Sequence, residues 1–184
     1  SFTIKSGGNY FMNTNSIIST SGTNTTTVVV ENGGTFRTGN AAGFSGTILA
    51  DNTSISSNID VSNITLAAGS TVEYFRSTPA SVSGDQVITN RLDYQNLTLS
   101  GNGVKTAPSG TLTVKGDLVK SGTSTFAHNS GLVLLSGGNQ NFAGLPYNSL
   151  TVTNTSTSTK TLVGDGSITD ALTLGGTNTT LAIG

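Results

Sequence analysis

Tyr94-Gln95-Asn96-Leu97-Thr98-Leu99 returns 53 residues later as Tyr147-Asn148-Ser149-Leu150-Thr151-Val152. Within each copy the aliphatic residues fall on every second position. That is the period of a strand with one buried face. Ahead of the first copy stands Gly84-Asp85-Gln86-Val87-Ile88, echoed 54 residues on by Gly138-Asn139-Gln140-Asn141-Phe142. Behind it, Lys105-Thr106 returns as Lys160-Thr161, and the ten residues from Val114 align without gaps on those from Ile168. Four landmarks in one order, 53 to 55 residues apart, make a degenerate repeat of about 54 residues, at 84–137 and 138–184.

The same alternation runs outward from this pair. It predicts Leu112 and Val114, Leu132 and Leu134, and Leu172 and Leu174 on buried faces, with Gly-rich breaks at Gly101-Asn102-Gly103, Gly137-Gly138 and Gly175-Gly176 supplying turns. The first half keeps the rhythm without the motif, through Phe2-Thr3-Ile4, Tyr10-Phe11-Met12, Val28-Val29-Val30, Ile48-Leu49, Ile59, Val61 and Val72-Glu73-Tyr74. Thr, Ser, Asn and Gly make up 53 % of the 184 residues, so helix formers are scarce. Leu, Ile, Val and Phe reach 25 %, enough for a folded core. Aromatic residues are only 6 % and Trp is absent, too little bulk for the two-sheet core of a sandwich. A stack of coils needs only a few small aliphatic residues per coil, each resting on its counterpart about 4.8 Å below. The expectation is an all-β fold without helices, a right-handed parallel β-helix (β-solenoid) forming a single segment over 1–184. Neither end reads as a cap, so the segment is expected to belong to a longer chain.

Composition also excludes chemistry. Without Cys there is no disulfide framework, thiolate nucleophile or zinc ribbon. No 18-residue apolar run exists to insert in a membrane. A net charge of −1 with scattered cations gives no footprint for nucleic acid. The nine acids show no calcium-loop spacing, and neither a metal nor a cofactor is expected. Asp117 and Asp170 align in the repeat and could stack on adjacent faces, although two solvated turn acids explain them as well. His128 lies in a polar turn, His128-Asn129-Ser130-Gly131, so no catalytic residue is assigned. Four recurring side chains are the candidate surface contacts. Lys105 and Lys160 form either a basic contact stripe or a pair of solvated charges that discourage edge association. Tyr94 and Tyr147 either stack on sugars or pack at coil corners. The sequons, such as Asn52-Thr53-Ser54 and Asn96-Leu97-Thr98, are expected by accident in so Asn- and Thr-rich a chain. The irregular spacing of Thr-x-Thr argues against an ice-matching face.

The succession Gly69-Ser70-Thr71-Val72-Glu73-Tyr74, Gln86-Val87, Tyr94 to Leu99, Lys105-Thr106 and Leu112 to Leu118 resembles the repeats of large secreted surface proteins of Bacteroidetes, among them the gliding-motility adhesins and other type IX secretion cargo. The resemblance covers Gly69 to Gly184, with Leu132-Val133-Leu134 departing from the Thr-Val-Glu-Tyr element in the second copy. It implies an extracellular, cell-surface location and a non-enzymatic role as a stiff adhesive stalk or filament. The implied partners are neighbouring segments of the same chain or identical subunits, and surface polysaccharide. Two further functions stay open at this point: a carbohydrate-binding or carbohydrate-processing β-helix, and a subunit of a self-stacking homopolymeric fibre.

Overall fold

The computed structural model describes residues 1–12, 17–18, 26–44, 55–56, 63–77, 83–154 and 156–184. The expected strands at Ile48-Leu49, Ile59 and Val61, and the Asn52 sequon, lie outside these residues. The described chain is all-β, and every strand pair is parallel and stacked as a β-solenoid.

The longest sheet has eight strands: β2 (Asn9–Met12), β5 (Thr35–Thr38), β8 (Thr71–Tyr74), β10 (Asn96–Leu99), β13 (Leu118–Lys120), β16 (Gln140–Ala143), β18 (Ser158–Val163) and β20 (Thr179–Ile183). A second wall begins with β1 (Phe2–Ile4), β4 (Val28–Val30) and β7 (Ile64–Leu66). It resumes with β12 (Thr111–Val114), β15 (Leu132–Leu135), β17 (Pro146–Val152) and β19 (Ser167–Leu174). Tyr94, in a single parallel bridge to Val114, extends that resumed wall by one rung. A third, shorter wall holds β9 (Gln86–Val87), β11 (Val104–Thr106) and β14 (Thr125–Ala127). A two-stranded sheet pairs β3 (Ile17–Ile18) with β6 (Ile55–Ser56).

Register explains the core. Tyr10, Phe36, Val72, Leu97, Leu118, Phe142, Leu162 and Ile183 sit on one another across the eight strands. The opposite wall contributes two parallel columns, Leu112–Val133–Leu150–Leu172 and Val114–Leu135–Val152–Leu174. The interior is thus a line of aliphatic and aromatic side chains, continuous from coil to coil, and it is the main source of hydrophobic stabilisation. One sequence expectation is corrected here. Val133 and Leu135 point inward, while Leu132 and Leu134 are half-buried. Four consecutive aliphatic residues carry no alternation of their own, so the register with Leu112 and Val114 decides which pair enters the core.

The last coil is open. Its inward residues Leu172 and Ile183 are 47 % and 84 % exposed, whereas Ile4 and Met12 in the first coil are buried. An apolar cavity of about 60 Å³, lined by Phe142, Tyr147, Leu162, Leu172 and Leu181 among others, lies beneath it.

Candidate functional site

Lys105 and Lys160 are not surface charges. Both side chains are completely buried, which corrects the expectation of a contact stripe or of solvated charges. The cause is strand phase. Lys105 is the middle residue of β11 and the one whose side chain turns inward, over Gln86 below and under Phe126 above. Lys160 holds an inward position of β18, over Gln140.

The two ammonium groups end in matching cages of oxygen. Lys105 Nζ, with three hydrogens to give, has four oxygens within hydrogen-bond distance: Gln86 Oε1 (2.8 Å) and the carbonyls of Gly84 (3.0 Å), Asn102 (3.0 Å) and Arg76 (3.2 Å). Lys160 Nζ donates to Gln140 Oε1 and to the carbonyls of Gly137 (2.5 Å) and Gly138 (2.7 Å). Each glutamine amide in turn donates to the coil before it. Gln86 Nε2 reaches the carbonyls of Thr38 (2.9 Å) and Asn40 (3.0 Å), and Gln140 Nε2 those of Val114 (3.0 Å) and Gly116 (2.5 Å). Burial pushes both lysines down to about 8, with the nearby Arg76 acting in the same sense on Lys105 and Asp85 opposing it. At pH 7 both remain protonated.

The neighbouring acid or amide completes the pattern. Asp85 Oδ1 accepts from the Val104 N–H (2.7 Å), and Asn139 Oδ1 from the Thr159 N–H (2.9 Å), each immediately before the lysine. The same side-chain clip joins Asn96 to the Asp117 N–H (2.9 Å) and Asp117 to the Asn141 N–H (2.8 Å) one coil further on. Gln86 and Gln140, given no role from the sequence alone, complete the two lysine cages. Their signal was visible: both lie at the same place in the repeat, one residue after a clipping Asp or Asn.

Tyr94 and Tyr147 are also fully inside, so the structure keeps the packed reading and leaves neither ring for a sugar. Tyr94 Oη donates to the Thr89 carbonyl (2.9 Å), and its contact with Tyr74 Oη (2.8 Å) therefore takes its proton from Tyr74. Tyr74 Oη accepts from the Thr89 N–H (2.9 Å), while Tyr147 Oη donates to the Ala143 carbonyl (2.6 Å). Burial raises all three phenols above their ordinary value.

Asp117 and Asp170 do not meet. Asp117 precedes β13 in the long sheet, and Asp170 lies in β19 of the second wall, accepting from the Ser149 hydroxyl (2.8 Å). His128 Nδ1 accepts the Ser130 N–H (3.0 Å), which closes the turn expected there. No group of three His, Cys, Asp or Glu side chains able to hold a metal occurs among the described residues.

On the outer face of the long sheet, Phe11 (54 % exposed) and Phe75 bring their rings to 4.2 Å. The Arg37 guanidinium lies 4.4 Å from the Phe11 ring centre and pairs with Glu73 at 2.7 Å. Glu73 also accepts from the Ser100 hydroxyl (2.5 Å). An open groove of about 480 Å³ runs elsewhere along the wall, lined by Ile88, Thr89, Thr106, Pro108, Asn129 and their neighbours. No family model matches the chain, and neither a curated protein nor a solved structure matches it.

Proposed function

We propose that this chain is a non-enzymatic structural segment of an extracellular bacterial adhesin or surface filament, a stiff rod that holds adhesive surfaces away from the cell. The observation that supports the reading is the interior column from Tyr10 to Leu162, carried by an eight-stranded parallel sheet. Such a stack resists bending because each coil is bonded along its length to the coils on both sides. Its abundant Thr, Ser and Asn offer hydroxyl and amide groups to solvent where charges are few. Small-angle scattering tests the shape: an elongated particle with a constant cross-section supports the reading, and a globular distance distribution overturns it. Adhesion is tested by coating beads with the chain and measuring retention on bacterial surfaces and surface polysaccharide, where retention no greater than on a blank bead removes the adhesive part.

The fibre reading gains support from the last coil. On β19 and β20, Ile168, Leu172, Leu174 and Ile183 are exposed above an apolar cavity. Such an apolar face favours a covering partner. A neighbouring segment or an identical subunit would supply it. Light scattering on the purified chain distinguishes the two: concentration-dependent growth favours identical subunits, and a monomer across the range excludes them.

A further inference from the structure

We propose that each Gln–Lys pair is a monovalent-cation site built into the coil, whose resident cation is the chain's own ammonium group, and that it staples three successive coils together. The proposal goes beyond the rod reading and stands without it. It rests on two copies that share their central contacts; Lys105 meets the Asn102 carbonyl in addition. In both, the lysine Nζ takes the glutamine Oε1 and the carbonyl of the glycine preceding the clip residue, Gly84 in one and Gly138 in the other. In both, the glutamine Oε1 also accepts a main-chain N–H from its own coil, Arg76 (2.8 Å) or Gly137 (3.0 Å). In both, the glutamine Nε2 spends its two hydrogens on carbonyls of the preceding coil.

The first site therefore joins the coils carrying Thr38, Gln86 and Lys105, and the second those carrying Gly116, Gln140 and Lys160. All groups facing the two nitrogens in these contacts are oxygens, most of them main-chain carbonyls. Such a shell suits a hydrogen-bonding or weakly hydrated monovalent cation and offers nothing to an anion. A buried ammonium is tolerated because its donors are met on the spot. Removing it leaves a cluster of inward carbonyls with no donor, which is the costly half of the interaction.

The wild-type chain gives the first test. Under mild reductive methylation at pH 7, Lys5, Lys115 and Lys120 should label freely. Lys105 and Lys160 should label only as fast as the fold opens. Labelling of either at the rate of Lys5 would overturn the site. Intact mass is read in the same experiment, and a deficit of one ammonia per pair would mean a covalent Gln–Lys bond in place of a cation site.

The second test uses Lys105→Ala and Lys160→Ala, with Lys105→Met and Lys160→Met as apolar replacements of similar length. All four should melt below the wild type. Ammonium chloride should raise the melting temperature of the Ala variants more than tetramethylammonium chloride at equal ionic strength, because only the smaller cation can enter and donate. The Met variants should show no such difference. Equal responses to the two salts in the Ala variants, or Met variants as stable as the wild type, would refute a cation site. The labelling experiment decides the question if the variants fail to fold.

Discussion

A buried ammonium group leaves a mark on the pH dependence of folding. Lys105 and Lys160 sit at about 8 in the fold against 10.5 when free. Between those values the unfolded chain binds more protons than the folded one, so stability rises with pH. The buried phenols act in the opposite direction. Tyr74, Tyr94 and Tyr147 stay protonated in the fold above 10.0, where the unfolded chain gives its phenolic protons up, so stability falls there. The urea midpoint should therefore climb from pH 8, pass a maximum near 10 and then decline. In the Lys105→Met, Lys160→Met double variant the climb should vanish while the decline remains. Tyr147→Phe should cost about 1 kcal/mol at pH 7 through the loss of its bond to the Ala143 carbonyl, measured by urea unfolding. These buried polar groups were the part of the molecule least legible in the sequence. Lysine is almost never fully buried unless its charge is met, and the partners that meet it here are mostly carbonyls, which every residue has. Only the recurrence of Gln86 with Lys105 and of Gln140 with Lys160 distinguished them from solvated charges.

At the scale of strands and turns, the period of two was readable wherever a polar residue separated two aliphatic ones, as in Leu97-Thr98-Leu99. It was unreadable in Leu132-Val133-Leu134-Leu135, where the stacked neighbours choose the face. Leu97 is fully buried between Val72 and Leu118, so Leu97→Ala should cost about 3 kcal/mol by urea unfolding. Turns differ in how closely coils approach. Gly101 has a φ of 74°, and a Cβ there would land on the carbonyl oxygens of Phe75 and Arg76 in the coil below. Gly7 has a similar φ of 73° and open space around it. Gly7→Ala should thus cost about 1 kcal/mol of backbone strain alone, and Gly101→Ala clearly more, since a main-chain clash between coils is added. Equal melting temperatures for the two variants would show that the coils can separate locally at little cost.

Across the whole molecule the burial of the interior column fades towards its last member, from fully buried Phe36 and Leu97 to exposed Ile183. Leu172→Lys with Ile183→Lys should leave the melting temperature nearly unchanged and abolish any concentration-dependent growth seen by light scattering. The parallel pairing that builds the column has a mechanical corollary. Strands run crosswise to the long axis, so the main-chain bonds between coils lie along it. Tension applied at the two termini does not shear a whole sheet at once. It opens one rung, transfers to the next, and releases a short length of slack each time. A tether of this kind would meet a sudden tug by lengthening in small increments rather than by snapping.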